Sequence, residues 1–265
     1  MKLIVENWQN YIDEGIEDGK HNFKYYAFDW DDNIVEMPTK IILLDKSGNE
    51  VGMGTEDFAH YRGMIGKEEF DYEGVVVKDF APNPFRNFRV AGDGQFLKDI
   101  RSAEPAPSWN DFVECINSAS IFAIITARGH KPSTLKRAVY KYIISNHDGI
   151  DSGEVKRNIQ KYNKLFNKTN KDSSIQGYLD LCKFYPVSFG PMASMASPEQ
   201  AKVQALGEFV DYCQKINKYM PIKVGFSDDD RKNIDLIEKH FGEPRELVSM
   251  TIKYTGKQHG EKKWS

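Results

Sequence analysis

Cysteine is scarce: the 265 residues hold only Cys115, Cys182 and Cys213, widely spaced and with no CxxC pair. That excludes a disulfide framework and a thiolate zinc site, and predicts buried free thiols in a reducing compartment. No apolar run approaches the ~20 residues of a membrane span, so no membrane partner is expected. The opening MKLIVENWQN has neither a long apolar core nor a small-residue cleavage site, so it is not read as a signal peptide and a cytoplasmic location is expected. Charge imbalance is missing as well: 36 Lys and Arg face 39 Asp and Glu, a net charge of −3. Any affinity for nucleic acid must therefore come from a local patch. There is no internal repeat and no low-complexity tract. What is present is 40% hydrophobic and 28% charged, enough for a packed core and one domain, 1–265, with sizeable insertions.

Four short apolar runs read as strands: 25–28, 121–125, 184–189 and 222–226. Each leads into polar or small residues and then a helical pattern, which predicts an α/β fold, a Rossmann-like parallel sheet flanked by helices. Ligands of such sheets collect beyond the carboxyl ends of the strands. After the third run, Ser197-Pro198-Glu199-Gln200 offers an N-cap, a proline at the first helical position and Gln at N3, predicting a helix that stops before Pro221. A second helix is expected over 230–240, ending near Gly242.

Two stretches interrupt the alternation. In the first, 38–107, residues 40–44 and 51–55 are expected to form a β-hairpin flap or cap, and the rest to be irregular. The second, 147–183, reads as a helical, basic insertion. Within it, residues 155–171 carry six Lys or Arg and no acid, with Tyr162 and Phe166 interleaved, a candidate nucleic-acid contact or simply a solvated face. The tail 256–265 is expected to be flexible.

The densest chemistry lies in KYYAFDWDDNIVEMP, where a buried strand ends in Asp29, Asp31 and Asp32. Like charges this close resist joint ionisation. A divalent cation among them removes the difficulty. Together the strand ends read AFDWDDNI, AIITARGH, SPEQAKVQ and VGFSDDDRKNID. In this order they resemble the motifs of the haloacid dehalogenase superfamily of phosphatases: DxDx(T/V), a strand-terminal Ser or Thr, a helical Lys, and a later acidic pair. The resemblance covers the core but not the insertions.

It implies a Mg²⁺-dependent phosphatase. Asp29 would be nucleophile and metal ligand, and Asp31 general acid–base with its backbone carbonyl on the metal. Thr126 would hold the phosphoryl group, Lys202 would neutralise charge, and Asp228 and Asp229 would complete the metal site. A phosphorylated small molecule, a nucleotide or a nucleic-acid terminal phosphate is the implied substrate; the run Asp229-Asp230-Arg231 resembles polynucleotide 3′-phosphatases of the superfamily. Lys183 rivals Lys202, and Asp230 is equally a helix cap. The sequence departs from the pattern at Asn33, where the family has Thr, and at Asp32, where it has Gly. Those departures leave open a catalytically silent binding or structural role. Trp30 is either a substrate platform or a core residue. Arg86, Arg89 and Lys98 are candidate substrate cations or surface charge, and the loop 190–197 is a candidate moving element.

Overall fold

A computed structural model describes residues 23–165, 174–195, 197–218, 220–243 and 245–256. The core is a parallel sheet of β1 (Phe23–Phe28), β8 (Phe122–Thr126), β9 (Lys183–Pro186), β10 (Ile222–Asp228) and β11 (Val248–Tyr254), in the order β11-β10-β1-β8-β9. Strand β8 is buried along its whole length, as a doubly covered strand should be, whereas β10 begins with alternation, Ile222 and Val224 buried and Lys223 exposed. In β8, Phe122 and Ile124 enter one core layer while Ala123 and Ile125 enter the other.

The first layer comprises α3 (Trp109–Asn117), α4 (Pro132–Ile144), α5 (Ser152–Leu165) and α6 (Ile175–Leu181), which contribute Phe112, Val139, Val155 and Leu179 among others. The second is α7 (Pro198–Ile216) and α8 (Arg231–Phe241). Ser197 caps α7 by accepting from the Gln200 N–H, with Pro198 in the first turn. Asp230 caps α8 by accepting from the Lys232 N–H, and Gly242 closes it. The helices expected in these places are present within a residue or two.

The insertion between β1 and β8 departs from expectation. Its hairpin exists, as β3 (Ile41–Asp45) with β4 (Glu50–Met53), and α1 (Thr55–Tyr61) follows. The remainder is not irregular. It adds β5 (Phe70–Tyr72) and β6 (Val75–Phe80), making a four-stranded antiparallel sheet, β4-β3-β6-β5, with its own core of Ile41, Leu43, Met53, Phe70 and Val77. The β5–β6 turn is Glu73-Gly74, with φ of 53° and 80°. Both central residues of a type I′ hairpin turn need positive φ, and Glu in the first place hides the signal. At the neck of the insertion, β2 (Val35–Glu36) pairs with β7 (Glu104–Pro105). The last turn of the insertion is α2 (Asp93–Asp99).

The second insertion is not an appendage: Val155, Ile159, Ile175, Tyr178 and Leu179 pack into the main core. Of the basic stretch, Lys156, Arg157 and Lys161 are exposed, while the side chain of Tyr162 and residues 166–171, with Phe166, lie outside the described set. So does the tail beyond Gly256. All three cysteines are buried and free. Among the described residues no helix is long and apolar enough to cross a membrane.

Candidate active site

The carboxyl ends of β1, β8 and β10 meet at one point. The Asp29 N–H donates to the Ser227 carbonyl at 3.0 Å, which ties the end of β1 to that of β10. The chain then turns sharply, with the Ile34 and Val35 N–H groups both donating to the Trp30 carbonyl. Asp32 takes the left-handed conformation this turn demands, φ 55°. The residue in the glycine place is thus the one that bears the strain, and Asp tolerates that region better than most.

Asn33 adopts ordinary angles and serves as a stitch. Its amide donates to the Asp29 carbonyl (3.1 Å) and to the carbonyl and hydroxyl of Ser227 (3.2 and 3.0 Å). Its Oδ1 accepts from Ser108 (2.9 Å) and Thr255 (2.7 Å). A threonine could not make all of these bonds.

Asp29, Asp228 and Asp229 each offer an oxygen within 4.8 Å of the others. Lys202, on the buried stripe of α7 with Ala201, Ala205 and Leu206, reaches this trio. Its Nζ lies 2.7 Å from Asp228 Oδ2 and 3.1 Å from Asp29 Oδ1. The hydrogen bond is directed at Asp228. Asp228 Oδ1 accepts from the Asp230 N–H and from Asn233 Nδ2, both at 2.9 Å. Asp29 Oδ1 is paired in charge but, among the described residues, is a buried oxygen with no hydrogen bond.

Three carboxyl groups face one ammonium on the buried floor. Burial pushes Asp29 above the ordinary carboxylate range, with Asp228 and Asp31 adding to it and Lys202 opposing. Burial, with Asp29 and Asp228, raises Asp229 as well. Asp32 is pushed up to about 7 by burial and by Asp31. Burial alone would lower Lys202, but Asp228 and Asp29 outweigh it and hold the ammonium charged. An all-oxygen donor set with a buried carboxylate oxygen that has no hydrogen bond fits a hard divalent cation such as Mg²⁺, whose charge would favour the ionised form of these raised carboxyls.

Thr126, at the end of β8, is buried, and its hydroxyl accepts from the Arg128 N–H at 3.2 Å. With Asp29, Asp31, Lys202 and Asp229 it lines a cavity of about 290 Å³. The insertion lines its other side, through Ile41 of β3, Phe58 of α1, and Phe85 and Phe88 beyond β6. Arg62 and Arg89 stand at the rim. Arg62 is paired with Asp230 (3.2 Å) and Glu199 (4.0 Å), and Arg89 donates to the Ser188 carbonyl at 2.9 Å. Another hollow, of about 280 Å³, lies beside Tyr26, Glu114 and Lys253 on the sheet face and contains none of these groups.

Several residues for which two readings stood open are placed by the structure. Trp30 is no platform: it is fully buried, packed between Phe96 and Tyr142. Lys183 sits over the Tyr212 ring at the start of β9, away from the trio. Arg86 pairs with Glu50 on the insertion surface, and Lys98 is exposed on α2. In the loop 190–197, Gly190–Ser194 forms a 3-10 turn, and Met192 and Met195 pack on the core. The Asp31 side chain is not part of the carboxylate trio; both its oxygens are taken by Arg128.

No family model, curated protein or solved structure matches the chain. Its chemistry must be read from its own residues.

Two groups escaped the sequence reading. Arg128 is buried behind Asp31, and its one signal in the sequence was a cation two residues past Thr126 at a strand end. Asn233 braces Asp228 from the first turn of α8, one helical turn beyond Asp229.

Proposed function

We propose that the chain is a Mg²⁺-dependent phosphomonoester hydrolase of the haloacid dehalogenase type, working through an aspartyl-phosphate on Asp29. The observation that carries this reading is the convergence of Asp29, Asp228 and Asp229 with Lys202 on a buried floor at adjacent strand ends. The strand order, with the Asp29 strand at its centre, supports it, as does the placing of Thr126 across the same cavity.

In this mechanism Asp29 attacks phosphorus, the P–O bond to the leaving group breaks, and Asp31 delivers a proton to the departing oxygen. Asp31 then takes a proton from the water that attacks phosphorus, releasing phosphate and restoring Asp29. The Thr126 hydroxyl holds a phosphoryl oxygen, and Lys202 balances the charge of Asp29 and the phosphate. Mg²⁺, held by Asp29, Asp228 and Asp229, supplies the remaining charge neutralisation when bound.

The lining of Phe58, Phe85 and Phe88, with Arg62 and Arg89 at the rim, suits a nucleotide, a small phosphometabolite or a nucleic-acid terminal phosphate. Phosphate release with Mg²⁺, compared on nucleoside monophosphates and a 3′-phosphorylated oligonucleotide, separates these substrates. Asp29→Asn, with folding intact, should abolish release; retained turnover rejects the reading. A silent metal-binding role is favoured by one observation, the engagement of both Asp31 oxygens by Arg128, and predicts no turnover on any ester.

A further inference from the structure

Behind Asp31 stands a buried polar train that the proposed reaction does not use. We propose that Arg128 is the positioning residue for Asp31, and that the insertion braces it through Asp93 and Asp99. This rests on the reading of Asp31 as general acid–base.

The Arg128 side chain is 0% exposed, its guanidinium lying 4.6 Å from the Phe88 ring centroid and 4.9 Å from that of Phe96. Nε donates to Asp31 Oδ2 at 2.8 Å and Nη2 to Oδ1 at 2.6 Å. A two-point bond of this kind fixes the carboxylate plane as well as its position. Each carboxylate oxygen keeps acceptor capacity beyond the bond from Arg128. Asp31 retains 14% exposure and lines the cavity beside Asp29.

The guanidinium is held in turn. Nη2 also donates to Thr39 Oγ1 (3.2 Å), and that hydroxyl donates to Asp99 Oδ2 (3.1 Å). Nη1 lies 3.2 Å from His130 Nε2, and His130 Nδ1 lies 2.8 Å from Asp93 Oδ1. Arginine only donates, so Nε2 must accept and Nδ1 must carry the proton given to Asp93. The imidazole is therefore neutral in one defined tautomer, and burial and Arg128 both lower its pKa. Asp93 is anchored by Thr134 Oγ1 at 2.9 Å. Thr39, Asp93 and Asp99 all belong to the first insertion, whereas Arg128 and His130 follow β8. The insertion that lines the cavity thus also sets the orientation of Asp31.

A purely structural pair would hold the cap to the core and leave the proton transfer indifferent. Esters with different leaving groups tell these roles apart. A dinitrophenolate leaves without a proton, whereas an alkoxide needs one. With Mg²⁺, Arg128→Lys should lower kcat on an alkyl phosphate by 100-fold or more while changing kcat on 2,4-dinitrophenyl phosphate by only a few-fold, since general acid–base help is worth about 10²–10⁴. KM should stay within a few-fold on both. Asp93→Asn, at the partly exposed far end, should reproduce the selectivity at about tenfold and carries the test if Arg128→Lys does not fold.

The double variant Asp31→Asn/Arg128→Lys should be no slower on the alkyl ester than Asp31→Asn alone. Independently of turnover, the Arg128 Nε–H resonance should be protected from exchange in the parent and lose that protection in Asp31→Asn. Equal losses on both esters, or multiplicative losses in the double variant, overturn the positioning role and leave the phosphatase reading standing. A parent protein that cleaves neither ester removes that reading, and this inference with it.

Discussion

Replacing Lys202 with methionine tests the electrostatics of the floor most sharply. Methionine keeps the length and apolar stem of lysine on α7 but removes the ammonium. Lys202 is 3% exposed, and its Nζ sits 2.7 Å from Asp228 and 3.1 Å from Asp29. At an effective dielectric of about 20, a unit-charge pair at such separations is worth about 5–6 kcal/mol before desolvation. Breaking a buried pair by removing one partner costs about 3–5 kcal/mol in practice. For a chain of this size that corresponds to a fall in Tm of about 6–20 °C. The orphaned carboxylates can escape by taking up protons, so the loss should be smaller near pH 5 than at pH 8. Mg²⁺ should recover part of it by supplying the missing positive charge. Thermal unfolding at several pH values, with and without millimolar Mg²⁺, reads all three effects. A loss below about 1 kcal/mol, unaffected by pH, would refute the picture of ionised carboxylates sharing one buried cation.

Other outcomes follow from the same geometry. Asp32 has its pKa raised to about 7 by burial and Asp31, so its contribution is fully present below the ordinary carboxylate value and lost as pH rises towards 7. Asp29 and Asp229 shift in the same direction. The metal-free parent should therefore lose stability from about pH 4 to 7 and go on losing it above pH 7, and the rise in Tm given by Mg²⁺ should grow with pH; a flat metal response over that range contradicts it. Trp30→Ala should cost about 3–5 kcal/mol in denaturant unfolding, as for a large buried aromatic, whereas a substrate platform would show a KM effect with little loss of stability. Asn33→Ala should cost about 1–3 kcal/mol, measured by the same unfolding, because the Asp29 carbonyl loses the Asn33 amide while Ser108 and Ser227 keep their bond to each other.

The strand ends were legible in the sequence because carboxylates and a lysine stand out against apolar runs. Asp29, Thr126, Lys202, Asp228 and Asp229 do come together, and the caps of α7 and α8 fall where Ser197 and Asp230 placed them. The fifth strand, β11, has no continuous apolar run; as an edge strand it carries its signal in the alternation of Val248, Met250, Ile252 and Tyr254 with polar residues, which a search for apolar runs passes over. The second half of the first insertion was missed for a similar reason: three-residue β5 is too short for a periodic signal, and its turn is carried by Glu73. Arg128 and its brace were illegible in principle. Asp93, Asp99, Thr39 and His130 are ordinary polar residues in the sequence, and only the packing of the insertion against α4 brings them into one hydrogen-bonded train. For Trp30 the sequence left a platform and a core residue open, and burial decides for the core, its ring packing against Phe96 and Tyr142.

The shared cation and the reactive carboxylate are tested most directly by a crystal structure of the protein soaked with Mg²⁺ and beryllofluoride. The account predicts a beryllofluoride group bonded to a carboxylate oxygen of Asp29, beside a metal ion touching Asp29 and at least one of Asp228 and Asp229. Metal and fluoride density that avoids these three carboxylates, at concentrations that saturate the crystal, would contradict it.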